Sequence, residues 1–240
     1  MELKKEDLVQ WLKLSSVKGV GSSRMLKLLS IFSTVDSIYE ASAESLFSTR
    51  IFNKSMIDEY DSIKKKDSRY FEYIIDECEN HKIQIIPFYS KRYPSKLKAM
   101  PDSPLTLFAW GDIELLKTKK VAVVGSRESS EEAKKWTFEN TQKISQQGIT
   151  VVSGGAKGID YSAHRGALSS NGKTIAIIGS GLFKLYPEEH RELFDEIKHH
   201  GLLLSEHPPE YVGSRISLLR RNRIISGISN CLLLVTSSTE

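Results

Sequence analysis

Residues 149–160 read Ile-Thr-Val-Val-Ser-Gly-Gly-Ala-Lys-Gly-Ile-Asp, a short apolar run followed at once by a glycine-rich turn. The same arrangement occurs on both sides of this stretch. Residues 121–124 are apolar and end at Gly125, and residues 174–178 lead into Gly179-Ser180-Gly181. A short apolar run without alternation is typical of a strand that is buried on both faces. These units therefore predict a parallel sheet.

The pattern extends to the end of the chain. Residues 202–204 end at Ser205-Glu206, and residues 232–235 end at Thr236-Ser237. The segments between the apolar runs have helix lengths; they are 129–147, 159–170, 188–200 and 216–228. Strands that alternate with helices predict a doubly wound α/β fold with a mostly parallel, extended Rossmann-like sheet. Its crossovers would place every glycine turn on one edge, where such sheets bind ligands.

The first third of the chain has a different pattern. From residue 6 to residue 80, apolar residues recur at helical spacing, as in Leu8, Trp11 and Leu12. Residues 83–110 then contain one or two short strands that we expect to bridge two domains. We predict a helical N-terminal domain (SAM- or helix-hairpin-helix-like) at 1–80 and a Rossmann-like domain at 81–240. Residues 17–21, Val-Lys-Gly-Val-Gly, would form a hairpin turn, which we expect to pack rather than to bind a phosphate.

Composition narrows the class of protein. The 240 residues are 40% hydrophobic and 27% charged, with a net charge of +4, which excludes disordered and collagen-like chains. No apolar run approaches the roughly 20 residues of a membrane helix, and the mixed charges at the N-terminus are unlike a signal peptide. Cys78 and Cys231 lie far apart, which indicates buried free thiols in a reducing cytoplasm.

The distribution of charge points to an anionic partner. Residues 211–239 contain no acidic residue, and four arginines lie within nine positions of that stretch. Guanidinium groups match phosphate oxygens geometrically. A solvated helical face is the alternative, and Asp160 or Glu206, although distant in sequence, could neutralise the arginines in space. The candidate phosphate-binding residues of this segment are Arg215, Arg220, Arg221, Asn222 and Arg223.

Two glycine turns are further candidates. Gly125-Ser126-Arg127 lacks the additional glycines of a dinucleotide motif but offers backbone donors and a cation; a plain turn with an exposed arginine is equally possible. In the second turn, Gly155, Lys157 and Gly158 allow close approach of a ligand and supply a cation. Asp160 would stabilise the start of the next helix.

The sequence lacks several common catalytic and metal-binding motifs. No Cys-x-x-Cys, His-Glu-x-x-His or Gly-x-Ser-x-Gly motif is present, and Gly172-Lys173-Thr174 precedes a strand, whereas a P-loop lysine follows one. His164 has no neighbouring nucleophile and is expected to be a packed or hydrogen-bonded residue. We therefore expect no catalytic residues, no metal and no cofactor.

Taken together, these motifs resemble the DNA-processing protein A family (DprA/Smf). The matching segments, in chain order, are Val-Gly-Ser-Arg at 124–127, Ser-Gly-Gly-Ala-Lys-Gly-Ile-Asp-x-x-Ala-His at 153–164, Gly-Ala-Leu at 166–168, Gly-Ser-Gly-Leu at 179–182 with Tyr186-Pro187, Ser205-Glu206-x-Pro208, and Arg-Asn-Arg-Ile-Ile-x-Gly-x-Ser at 221–229. The Tyr93-Pro94 pair and residues 104–108 match the segment before this core, so the resemblance covers about 83–236.

The resemblance implies a non-enzymatic protein of the bacterial cytoplasm that binds single-stranded DNA. Such a protein protects DNA taken up in natural transformation and competence, and helps load the RecA recombinase in DNA recombination, as a homodimer. Matching positions imply phosphate contacts from residues 125–127, from Gly155, Lys157 and Gly158, and from Arg221 and Arg223.

The chain departs from the family pattern in two places. Leu218-Leu219 stands where the family usually has Phe-Pro, which would weaken base stacking unless Phe183 or Tyr186 compensates. The sequence also stops at Glu240, where the family continues through another helix and strand, so the last family strands are expected to be missing.

Two alternatives remain open at this stage. One is a nucleotide-phosphate hydrolase of the phosphoribohydrolase (lysine-decarboxylase-like) type, although the 154–158 turn lacks the proline and threonine of that group. The other is an interaction scaffold whose arginines bind an acidic protein surface.

Overall fold

The computed structural model of the chain describes residues 4–65 and 67–236, so the predicted turn residue Ser237 and the end at Glu240 lie outside the described residues. The strands are β1 (Ile83–Pro87), β2 (Thr106–Gly111), β3 (Lys120–Val124), β4 (Thr150–Ser153), β5 (Thr174–Ile178), β6 (Leu202–Ser205) and β7 (Cys231–Leu234). They form one sheet in the order β1-β2-β6-β5-β4-β3-β7. Strands β3 to β7 are parallel, which confirms the predicted mostly parallel α/β fold.

Helices surround this sheet. They are α1 (Lys5–Ser15), α2 (Ser22–Phe32), α3 (Val35–Glu40), α4 (Ala43–Ser48), α5 (Lys54–Lys65), α6 (Arg69–Asn80), α7 (Ser95–Lys98), α8 (Glu131–Gln146), α9 (Ile159–Ser169), α10 (Arg191–His200), α11 (Arg215–Arg220) and α12 (Asn222–Ile228). Two 3-10 helices, Ile113–Lys117 and Glu188–His190, complete the described elements. The single helix predicted at 216–228 is instead two helices that meet at Arg221.

Alternation along β3 and β4 explains why both faces of the sheet are covered. Val123 and Val151 pack against α8 and α9 in one apolar cluster, whereas Ala122 and Val152 belong to the main core. Successive residues of a strand point to opposite faces, so an uninterrupted apolar run needs cover on both. The C-terminal ends of these strands remain open at one edge.

The helices before residue 80 share the main core with the sheet. Trp11 of α1 is buried, and its indole Nε1 donates a hydrogen bond to Thr106 Oγ1 of β2, at 2.9 Å. The 17–21 turn joins α1 to α2 and packs, as Val17 and Val20 are buried in the main core. Helices up to residue 80 are confirmed; a domain boundary there stays a prediction.

The short strands predicted within 83–110 are confirmed, since β1 and β2 pair antiparallel with each other and β2 pairs with β6 over residues 108–111. That this stretch bridges two domains stays a prediction, but one expectation about the cysteines needs correction. Cys78 is buried as predicted, and burial raises the pKa of its thiol to about 12. Cys231 is exposed, since β7 is an edge strand with a neighbour only at β3 within the described residues.

No helix in the described ranges has both the length and the apolar character to cross a membrane.

Candidate nucleic-acid interface

A cavity of about 1160 Å³ opens at the carboxyl edge of the sheet. The strand order reverses beside β3, which has β4 on one side and β7 on the other, and open α/β sheets bind ligands at such points. The turns after β3, β4 and β5 and the loop before α11 enclose the cavity. Its charged and polar lining residues include Arg127, Lys157, Asp160, Lys184, Glu188, Glu189, Ser214, Arg215, Arg221 and Asn222.

Three of the lining cations are available to an anion. Arg127, Lys184 and Arg215 form no ion pair within residues 4–65 and 67–236. Lys157 pairs with Glu189 at 2.5 Å (Nζ to Oε1), but both side chains remain more than half exposed. Because an exposed pair contributes little net energy, a phosphate could displace the carboxylate. The cavity therefore presents up to four cations to an anionic ligand.

Arg221 lies at the floor of this cavity, almost completely buried. Its side chain is buried, and its Nη1 donates hydrogen bonds to the carbonyls of Gly154 and Ile177. Its Nη2 is 3.6 Å from Asp160 Oδ2. Burial raises the pKa of the Asp160 carboxyl, which the guanidinium and the backbone N–H of Ala156 partly offset. Arg221 thus holds the turn after β4 in place.

The glycines of that turn make room for these contacts. A Cβ at Gly154 would lie 2.1 Å from the Arg221 guanidinium. Gly158 has a φ of +77°, and a Cβ there would lie 2.5 Å from the Ser126 carbonyl oxygen. The turns after β3 and β4 therefore contact each other through their backbones.

The predicted site residues divide into three groups. Those that line the cavity are Gly125, Arg127, Lys157, Arg215, Arg221 and Asn222. Ser126, Gly155 and Gly158 shape the turns: the Ser126 backbone N–H donates to Thr236, and the Gly155 carbonyl lies 3.0 Å from His190 Nδ1. Arg220 and Arg223 line a different cavity, next to the helices before residue 80.

In this cavity next to the helical region, the Arg223 guanidinium forms ion pairs with carboxylates. It donates to Glu206 through Nη2, and its Nε is 3.4 Å from Asp102 Oδ2. Residues two apart on a helix do not share a face, so Arg221 and Arg223 cannot both reach the first cavity. The prediction that these arginines form one phosphate-binding set is therefore not supported by their placement.

The sequence analysis did not identify the apolar part of the site. Tyr186, Val212 and Leu219 line the cavity and are 55%, 72% and 61% exposed. Tyr186 was noted only as a possible substitute for the missing aromatic. Phe183, the other substitute considered, packs against His81 and Trp110 instead. Lys184 and Tyr186 could have been found from their position after β5, because β5 ends at the same carboxyl edge of the sheet as β3 and β4.

His164 lies below the site in the core. Its ring is fully buried, with Nδ1 2.7 Å from Thr174 Oγ1, which confirms the predicted packed, hydrogen-bonded histidine. Burial lowers its pKa to about 3. No group of three or more potential metal ligands occurs within the described part of the chain.

Comparison with known proteins places this geometry in context. The family model for DNA recombination-mediator protein A matches residues 84–240. Protein Smf of Synechocystis is 32% identical over 229 residues, which cover 94% of this chain and 57% of that protein. DNA processing protein DprA of Bacillus subtilis is 41% identical over 154 residues, 64% of this chain and 52% of that protein.

Solved structures agree with the sequence matches. DNA processing protein A of Streptococcus pneumoniae superposes with a TM-score of 0.78 at 30% identity, covering 98% of this chain and 78% of that one. A structure of the Helicobacter pylori protein, described as showing its single-stranded DNA binding mode, gives a TM-score of 0.60 at 29% identity over 65% of this chain and 71% of that one. The chain spans little more than half the length of the curated relatives it matches. By family model, sequence and fold, this chain belongs to the DNA recombination-mediator protein A (DprA/Smf) family.

Proposed function

We propose that this chain binds single-stranded DNA in the cavity at the carboxyl edge of its sheet. The observation that carries the proposal is the combination of unpaired cations and exposed apolar side chains around one opening. Arg127, Lys184 and Arg215 supply charge for phosphates. Tyr186 supplies an exposed ring on which a base can stack, and Leu219 adds exposed apolar surface. Proteins that bind single strands combine a positively charged groove with aromatic side chains on which bases stack.

The wider role follows from the family. The relatives are named DNA processing proteins, and the Helicobacter pylori structure is described by its single-stranded DNA binding mode. We infer that this chain acts in DNA recombination, protecting incoming DNA in natural transformation. Loading of the RecA recombinase, a homodimeric state and a cytoplasmic location are parts of the same proposal.

The test compares labelled oligo-dT with duplex of the same length by fluorescence anisotropy across a range of salt concentrations. We expect preference for the single strand and a log Kd that depends linearly on log salt. Each lost phosphate contact should reduce the slope by about 0.7, so R127A/R215A should reduce it by about 1.4. The pair K27A/K54A, two exposed lysines of the helical region, is the matched control. Equal slopes in both variants would overturn the proposed site.

The same protein can test the alternative enzyme reading. Glu188 and Glu189 line the cavity, and carboxylates there are what a phosphoribohydrolase would need. Absence of enzymatic activity stays a prediction. Release of free base from nucleoside monophosphates, lost in E188Q/E189Q, would favour the hydrolase over the DNA-binding protein.

A further inference from the structure

A second basic cavity lies at the opposite end of the sheet. It has a volume of about 430 Å³ and is lined by residues at the start of β3, the residues just before β7 and the loop that leads into α7. The first cavity includes Val124, the last residue of β3, and the second includes Lys120, the first residue of β3. At 3.3 Å per residue, the two ends of this strand are about 13 Å apart.

The lining of this second cavity is unusual in its charge. Six of its side chains are cationic and none is a carboxylate. The cations are Lys91, Arg92, Lys96, Lys117, Lys119 and Lys120. They come from two separate segments, 91–96 and 117–120, which the fold brings together around Tyr93, Pro94 and Asn230. Clustered cations without acids raise the local concentration of an anionic ligand.

Several of these cations are already held in place. Arg92 Nη1 donates to Gln84 Oε1 at 2.9 Å, and Lys96 Nζ donates to the Ser229 carbonyl at 3.2 Å. Lys117 pairs with Glu114, a neighbouring carboxylate outside the lining, at 2.6 Å. Lys91 and Lys119 are exposed and form no ion pair among the described residues.

Lys120 shows that the positive potential is not neutralised locally. Its side chain is buried, and Nζ donates to the Leu116 carbonyl at 2.9 Å. Burial lowers the pKa of Lys120, and the charge of Lys96 lowers it further. Carbonyl oxygens, and no carboxylate of the described chain, are the groups that contact this ammonium. An anion over the cavity would relieve the repulsion between these lysines.

We propose that this cavity is a second phosphate-binding surface, which takes the phosphodiester backbone of DNA beyond the segment held at the carboxyl edge. The choice of DNA as the polyanion rests on the proposed function. Helix α12 connects the two cavities, since Asn222 lines the first and Ile228 the second. Its seven residues span about 10 Å, so a strand that leaves one cavity can follow the protein surface to the other.

The experiment uses K91A/K119A, which removes the two exposed lysines whose ammonium groups have neither an ion pair nor a carbonyl partner among the described residues. K27A/K54A is a control with the same change in net charge. Binding of a labelled 40-nucleotide dT is measured against salt for the unchanged chain, each double variant and the quadruple variant R127A/R215A/K91A/K119A. We expect K91A/K119A to reduce the slope by about 1.4 and the quadruple variant by about 2.8, because each phosphate contact contributes about 0.7.

The outcomes separate the two proposals. If K91A/K119A behaves as K27A/K54A does, the second surface is overturned, whatever R127A/R215A shows. If R127A/R215A matches the control while K91A/K119A lowers the slope, the edge cavity fails and the second surface stands. A parallel titration with a 40-base-pair duplex identifies the source of the phosphates: a reduction confined to the duplex would assign the second surface to double-stranded DNA.

Discussion

Arg221 and Asp160 form a buried ion pair directly beneath the candidate DNA-binding cavity. Nη2 and Oδ2 are 3.6 Å apart, and both side chains are less than one-tenth exposed. The same guanidinium donates to carbonyls of Gly154 and Ile177, so it joins the ends of β4 and β5 to the first turn of α9. Arg221 is therefore a positioning residue for the turn after β4, and we expect any effect of its replacement on DNA binding to pass through that turn.

Replacing Arg221 by alanine should destabilise the whole domain. The substitution leaves the Asp160 carboxylate buried without its partner, and such a change typically costs about 3–5 kcal/mol. Urea unfolding followed by circular dichroism measures the free energy of unfolding. R221K retains a charge but not the two-carbonyl geometry, so we expect an intermediate loss. An R221A protein of normal stability with a salt slope reduced by about 0.7 would instead mean a direct phosphate contact.

The Arg221–Asp160 pair is a contact that the sequence alone could not assign. The absence of acids from residues 211–239 indicated a basic segment, and Asp160 and Glu206 could be named as acids able to neutralise it, but the sequence did not show which arginine each of them contacts. Asp160 reaches Arg221 through the fold, and Glu206 reaches Arg223. The break between α11 and α12 also sets the directions of these side chains, and an apolar pattern does not report such a break.

Arg223 provides a direct test of this revised assignment. Its guanidinium is bound to Glu206 and lies near Asp102, away from the edge cavity. R223A should therefore leave the salt slope of oligo-dT binding the same as that of the unchanged chain, without the loss of about 0.7 that one phosphate contact would cause. R127A, on the exposed turn after β3, should lose that full contact. A larger loss in R223A than in R127A would restore the phosphate role implied by the family motif.

Tyr186 should contribute to binding through the bases rather than the phosphates. It is 55% exposed beside Lys157 and Arg127 in the cavity, where a base could stack on its ring. Base stacking on an aromatic contributes about 1–3 kcal/mol, so Y186A should weaken oligo-dT binding by about 5- to 150-fold. Y186F should bind normally.

An abasic oligonucleotide of the same length supplies the control for this prediction. Because it has phosphates but no bases, it should bind Y186A and the unchanged chain equally. An equal loss with both oligonucleotides would show that Tyr186 only supports the shape of the loop.

The fold was predictable for the strands that bury both faces and less so elsewhere. In the sequence, β3 to β7 are recognisable as short apolar runs that end in small residues. Because they alternate with helices along the chain, their carboxyl ends are expected at the same edge of the sheet. The β1–β2 hairpin was harder to assign because α7 and its loop separate the two strands by 18 residues. The exposure of Val212 depends on loop conformation, which no periodicity encodes, and the exposure of Leu219 depends on how the short helix α11 is placed.

His164 should make the stability of the domain sensitive to mild acid. Thr174 Oγ1 donates to the Val151 carbonyl, so the His164 Nδ1–H must donate to Thr174. Nε2 is buried and has no partner among the described residues, and a proton there would be unsatisfied. The pKa is lowered to about 3, mainly by burial and also by the charge of Arg221.

The sign of the effect follows from the lowered pKa of His164. Below its ordinary pKa of about 6.5, the unfolded chain binds a proton that the folded chain refuses down to about pH 3. The free energy of unfolding should therefore fall by up to about 1.4 kcal/mol for each pH unit below 6.5. Burial also lowers the pKa of His207, so this residue should likewise reduce the free energy of unfolding as the pH falls. Urea unfolding from pH 7.5 to pH 5 measures the slope. H164N keeps a donor for Thr174 but does not titrate, so it should lose this component; identical slopes in both proteins would exclude His164 as the origin.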